Sequence, residues 1–363
     1  MLWWQYITIF SFTFVLSVFS TELIRRLALR FKIVDHPAPG RKIHKKKIPL
    51  LGGIAIFISF FFVAFIFKEQ LLSGDLNINH WLGVFLGALI LMIGGFLDDK
   101  YNLKSWQQII WPILAVTLVI AGGVEITKIS TPTGNSIFLK QIQLLAGITL
   151  SEIFLFLWLL AITYTTKLLD GLDGLVSGLT VIGSLVIFLF TITTKYYQPD
   201  IGLAALILAA ASAGFLLLNW HPAKIFLGEG GSLFLGFLLG VLAIISGGKI
   251  AITLLVLALP ILDLAWTIVR RLYKGKNPMK AADNKHLHHR FLSLGWGQRK
   301  AVLVFYFFAI VFGLSGLFLQ SQGKFYMLLL LFFIMLSLVI FFSWWEKKKI
   351  KKDKEENKRI EEN

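Results

Sequence analysis

The 363-residue sequence contains no cysteine, and only 15% of its residues are charged. The absence of cysteine excludes disulfide frameworks, thiolate metal sites and cysteine nucleophiles, so any metal must sit on carboxylates or histidines. The shortage of charge excludes a single water-soluble globule, in which about a quarter of residues carry charge. A disordered chain is excluded as well, because 56% of the residues are hydrophobic and the mean hydropathy is +0.75. The composition leaves an all-α polytopic membrane protein.

A helix needs roughly 20 apolar residues to cross the hydrocarbon core. Eleven such stretches are expected, starting near residues 3, 50, 81, 106, 149, 175, 201, 232, 250, 301 and 326. They leave short loops and no room for a separate soluble domain, so residues 1–345 read as one integral-membrane domain. Only Gly247, Gly248 and Lys249 divide the pair between residues 232 and 270. Residues 346–363, EKKKIKKDKEENKRIEEN, read as a stop-transfer cluster followed by a solvated, disordered cytoplasmic tail.

The first stretch has no positive charge before it and Arg25, Arg26 and Arg30 behind it, the reverse of a cleavable signal peptide. This predicts an uncleaved first span with its N-terminus outside, and an odd span count then puts the C-terminus in the cytoplasm. On that topology thirty of the 36 Lys and Arg face inward, and only Lys68, Lys128, Lys140, Lys195, Lys249 and Lys324 face outward. The net charge of +16 therefore reports orientation and contact with anionic lipid, not nucleic-acid binding.

The polar residues that lipid would penalise gather on the same cytoplasmic side. Six of the seven histidines fall there (His36, His44, His221, His286, His288, His289), together with Asp35, Asp98, Asp99, Asp170, Asp173, Glu229 and Asp283. Between Asp35 and Gly53, Arg41, Lys42, His44 and Lys46 stand between prolines and the Gly52/Gly53 pair. A clamp on anionic lipid would account for the lysines singly. Prolines that fix the loop and glycines that let backbone approach a ligand suggest a phosphate site.

Asp98 and Asp99 close a span in GGFLDDKYNL, an odd place for carboxylates because the helix dipole disfavours them at a C-terminus. Such a pair suits Mg2+, or a division in which one carboxylate binds metal and the other takes a proton. In KLLDGLDGL, Asp170 and Asp173 are each followed by glycine; a turn explains the residues separately but does not require the repeat. In NWHPAKIFLGEGGS, Gly228, Gly230 and Gly231 surround Glu229 and lead into a helix whose N-terminal amides favour anions. Phe226 there reads as core packing or as a stacking platform. In DNKHLHHR, Lys285, His286, His288, His289 and Arg290 offer a pyrophosphate contact, and three histidines are not what a solvated charge run would select. Within one helix, Asp263 reads as a partner for Arg270, two turns on. Carboxylates for Mg2+, cationic phosphate clamps and a lipid-embedded body together describe phosphoryl transfer between a soluble nucleotide and a membrane lipid.

Seven ordered motifs then resemble those of the polyprenyl-phosphate N-acetylhexosamine-1-phosphate transferases: RKIH from Arg41, IPLLGG from Ile48, the Asp98/Asp99 pair, LLDGLDGL from Leu168, the NxxPAKxFxG stretch from Asn219, PILD from Pro260 and HLHHR from His286. The resemblance covers nearly the whole chain and is nearer the WecA/TagO-like branch than the MraY branch. It implies that undecaprenyl phosphate attacks the β-phosphate of UDP-GlcNAc, or of a related UDP-N-acetylhexosamine, releasing UMP at the bacterial inner membrane. It implies Mg2+, with Mn2+ as substitute, held by Asp98, Asp170 and Glu229, and lipid-phosphate activation at Asp98 and Asp99. Substrate contacts would come from Arg41, Lys42, His44, Lys46, Asp170, Asp173, Asn219, Phe226 (on uracil), His286, His288, His289 and Arg290. A homodimer is compatible with it.

Three positions depart from the family pattern: Lys167 where asparagine is expected, Glu229 where aspartate is expected, and Gln108 where a cation is expected. The exchange of Lys167 and Gln108 is compensatory, or it marks a weakened paralogue. Beside these stand a phospho-MurNAc-pentapeptide transferase and, from another class, a membrane transporter. A transporter predicts charges at mid-membrane, and apart from Asp263 and Glu152, both near span ends, the spans hold no acidic residue.

Overall fold

The computed structural model describes residues 1–36, 47–74, 76–126, 129–131, 136–144, 147–194, 197–246, 250–273, 275 and 286–361. These form helices α1 (Trp3–Arg30), α2 (Gly52–Ile66), α3 (Lys68–Leu71), α4 (Ile78–Tyr101), α5 (Ser105–Ala121), α6 (Leu150–Leu169), α7 (Leu175–Thr193), α8 (Pro199–Asn219), α9 (Gly228–Ile245), α10 (Ile250–Val256), α11 (Ala258–Tyr273), α12 (Leu287–Ser293), α13 (Gln298–Phe318) and α14 (Ser321–Glu361). Two small antiparallel pairs accompany them, β1 (Val34–Asp35) with β2 (Ile48–Pro49) and β3 (Ile129–Ser130) with β4 (Ser136–Ile137).

Helices stand at all eleven expected stretches, but their lengths differ from expectation. Among the described residues eight are long and apolar enough to cross a membrane, or up to nine if the bent pair α10 and α11 is one span. The helices α2 and α5 have 15 and 17 residues, short of the roughly 20 a full crossing needs. The chain turns by 81° between α10 and α11, where Pro260 has no N–H to return to the carbonyl four residues back. Gly247, Gly248 and Lys249 lie outside the described residues.

The buried centre is α8 and α9, with α7 and α1 packed on α8 and with α6 and α4 packed on α9. Ser17 of α1 ties to this centre by donating to the Ala211 carbonyl of α8 at 2.5 Å. Large apolar side chains cover the outside, including Phe19 at 77% and Phe318 at 85% exposure. In water such a surface would aggregate, and in a bilayer it is solvated. The capping box at the start of α6 accounts for Glu152, whose carboxylate accepts from the Thr149 amide at 2.7 Å.

In the charged tail, α14 continues through Trp345 to Glu361 as helix. Its Lys, Arg and Glu are strong helix formers with opposite charges repeatedly four apart, as in Lys351/Glu355 and Glu355/Arg359.

Candidate active site

Four helix ends meet at one end of the bundle, and glycine lets them meet. A Cβ on Gly53 would overlap Gly231, and one on Gly95 would overlap Gly230, so α2 and α4 both press backbone to backbone on the start of α9. The segment before α9 is stitched to the strand before α2: the Phe226 amide donates to Pro49 at 2.9 Å, and Gly52 and Gly53 donate to Phe226 and Leu227 at 2.9 and 2.8 Å. These glycines thus bring helices together, where the sequence suggested approach to a ligand.

Asp98 and Asp99 occupy the last turn of α4. Asp98 is buried, and its Oδ1 accepts from the Leu103 amide at 2.7 Å and from Gln108 Nε2 at 3.1 Å. The carboxylate at the helix end is therefore satisfied from beyond it. Asp99 is half-buried and accepts from the Glu229 amide, 3.1 and 3.2 Å from its two oxygens. That amide at the start of α9 serves an internal carboxylate and is not left open to an anion. Gly228, at φ +74, sits so close to the Asp99 carboxylate that a side chain there would displace it.

Lys167, on the last turn of α6, pairs with Glu229 and donates to Gln108 Oε1 at 3.0 Å. The three positions that depart from the family pattern are thus joined through Lys167. Asp170 follows directly as the cap of α6, with no hydrogen bond to its carboxylate among the described residues. Asp170 is exposed to solvent on its outer side, and the helix ends on its inner side desolvate it in part. Burial, then the charges of Glu229, Asp99 and Asp173, push that carboxyl up to about 8.

The DGLDG loop is locked to the loop after α8. Asp173 Oδ2 accepts from the Ala223 amide at 3.1 Å and lies 2.6 Å from His221 Nδ1. Asn219 Oδ1 accepts from the Gly174 amide at 3.1 Å and from Ser177 at 2.9 Å, while its Nδ2 donates to Ile225 at 2.9 Å. Tyr306 and Arg299 of α13 add bonds to the carbonyls of Gly174 and His221. The observed contacts of Asp173 and Asn219 therefore hold the loops in place, and His221, Arg299 and Tyr306 are supports the motifs alone did not single out.

The histidine segment is anchored elsewhere. Asp263 does not bond Arg270 as the one-helix reading expected; its Oδ2 lies 2.9 Å from His286 Nδ1 and its Oδ1 accepts from the Leu287 amide at 3.0 Å. The two groups that cap α12 face Asp263 directly, which no spacing within α11 could reveal. Arg290 is buried beside the Phe342 ring, 5.8 Å from its centroid, and His289 is half-buried. Arg41, Lys42, His44, Lys46, Asp283 and Lys285 lie outside the described residues, as does the His288 side chain.

Among the described residues no three carboxylates or histidines converge as a ready-made metal cage, so Asp98, Asp170 and Glu229 do not form a closed ligand set. The donor chemistry still suits Mg2+, which takes oxygen ligands and is held by one or two carboxylates plus substrate phosphates. A cavity of about 400 Å³ lies at the opposite end of α2 and α4, against Phe65 and Trp81, and its lining is apolar apart from Lys68.

The model for "Glycosyl transferase family 4" matches residues 81–247. A "Probable undecaprenyl-phosphate N-acetylglucosaminyl 1-phosphate transferase" of Bacillus subtilis is 33% identical over 307 residues, 83% of this chain and 81% of that protein. An "Undecaprenyl-phosphate alpha-N-acetylglucosaminyl 1-phosphate transferase" of Thermotoga maritima is 31% identical over 90% of this chain and 91% of its own length. A "Phospho-N-acetylmuramoyl-pentapeptide-transferase" of Borreliella afzelii is 30% identical over 86% and 93%. With relatives at 30% identity or more matched over most of both lengths, the chain belongs to glycosyl transferase family 4.

Proposed function

We propose that this protein transfers N-acetylglucosamine 1-phosphate from UDP-N-acetylglucosamine to undecaprenyl phosphate, releasing UMP and starting an envelope polysaccharide. The observation that carries this is the meeting of Asp98, Asp99, Asp170 and Glu229 at one end of a bundle whose outside is lipid-compatible. The site faces the cytoplasm, in keeping with the inward bias of Lys and Arg.

Asp170 and Glu229, with Asp98 behind them, would hold Mg2+, which when bound neutralises the pyrophosphate and its leaving group. Asp99 keeps free lone pairs beside its two long bonds to the Glu229 amide, so a carboxylate oxygen there can take the proton of the lipid phosphate. His286, fixed by Asp263, together with His288, His289 and Arg290, would bind the sugar pyrophosphate. Arg41, Lys42, His44 and Lys46 would contact the phosphates, and Phe226 would stack on uracil. Asp173 and Asn219 shape the nucleotide loop by holding its two sides together.

The test is UMP release by the purified protein in detergent. We expect release that needs undecaprenyl phosphate and UDP-N-acetylglucosamine together and is abolished by EDTA. The Borreliella relative favours a second donor, UDP-MurNAc-pentapeptide, and release with that donor alone would replace the first reading.

A further inference from the structure

Lys167 is half-buried, and its ammonium is held by acceptors from two other helices, the Glu229 carboxylate of α9 and Gln108 Oε1 of α5. Gln108 in turn donates Nε2 to Asp98 Oδ1 and to the Leu103 carbonyl, each at 3.1 Å. One cation therefore links the ends of α4, α5, α6 and α9. Asp98, Asp99, Asp170 and Glu229 stand around it, and among the described residues no other Lys or Arg pairs with any of the four. Among the described residues this end thus sets four carboxylates against one paired ammonium, which sits on a Glu229 oxygen that a metal ion would otherwise use.

We propose that Lys167 is a built-in counter-ion that competes with a divalent cation for Glu229, so that the free protein binds metal weakly and gains it together with the phosphates of its nucleotide. Gln108 acts as the positioning residue: its amide has a fixed donor end on Asp98 and a fixed acceptor end on Lys167, which keeps the ammonium aimed at Glu229. The proposal rests on the reading of Asp170 and Glu229 as metal-facing carboxylates. An ammonium beside a dication repels it strongly at this range, so its removal with the carboxylates left in place tightens metal binding.

The experiment is a Mn2+ titration of the purified full-length protein, followed by electron paramagnetic resonance without lipid or nucleotide. Lys167→Gln and Lys167→Met, two neutral side chains of different polarity, guard against the failure of either to fold. Both are expected to tighten Mn2+ binding by about tenfold or more. Lys167→Arg keeps the parent affinity, and the exchange variant Lys167→Gln/Gln108→Lys returns toward it, because its ammonium re-enters the same space from α5. Unchanged or weaker binding in both neutral variants overturns the proposal, as does the absence of Mn2+ binding in every variant. UMP release by the parent is measured in parallel. Release without tightening removes the counter-ion alone, whereas tightening without release upholds the counter-ion and removes the transferase reading.

Discussion

Both oxygens of Asp263 are engaged, one by His286 and one by the Leu287 amide, and the residue is buried. Removing it leaves the buried Leu287 amide without its acceptor, a cost of about 1–3 kcal/mol, and takes from His286 the carboxylate that orients its ring. Asp263→Ala is therefore expected to lower the melting temperature and to raise KM for the UDP-sugar about tenfold or more, the size of effect that loss of an outer support has on a ligand-binding histidine. Arg270→Ala is expected to leave KM unchanged. Equal effects of the two substitutions in donor titrations would restore the one-helix pairing. At this scale the sequence was legible where chemistry sits in adjacent positions, as with Asp98/Asp99, or in a dense repeat, as with DGLDG. It was not legible where a partner comes from a distant segment. His286 follows Asp263 by 23 residues, and no period of a helix points to it.

At the scale of elements, the carboxylate cluster depends on how closely α4 and α9 approach. Gly95 and Gly230 are in backbone contact, and a side chain at Gly95 would overlap the Gly230 backbone and separate the helix that carries Asp98 and Asp99 from the one that carries Glu229. A displacement of about 1 Å in such a constellation costs on the order of 100-fold in rate. Gly95→Val is therefore expected to cut UMP release by about that factor while the protein still elutes as a single species from a sizing column. Near-parent release from Gly95→Val would show that the contact has no part in the geometry. Hydropathy located all eleven apolar stretches; among the described residues α2 and α5 are shorter than the other spans, and the α10/α11 stretch bends by 81°. Apolar composition measures what lipid or core will accept; it does not measure where a helix starts and ends. In α14 the helix runs on through the charged residues to Glu361, in keeping with the helix-forming character of Lys and Glu.

The whole molecule is a lipid-facing bundle with its carboxylate cluster at one end, and the Lys and Arg distribution predicts which side of the membrane that end faces. The absence of native cysteine makes this directly measurable. Lys68→Cys, at the far end of α2, is expected to react with a membrane-impermeant maleimide on intact cells. Lys224→Cys, in the loop locked to Asp173, is expected to react only after the cells are opened. The reverse pattern would invert the topology and put the site outside. The central claim concerns which bond of the donor breaks, and a label on the β-phosphate reads it. With [β-32P]UDP-N-acetylglucosamine and undecaprenyl phosphate, transfer of the sugar phosphate sends the label into the lipid and releases unlabelled UMP, which is the result expected here; label leaving as UDP, with the sugar alone on the lipid, would contradict it.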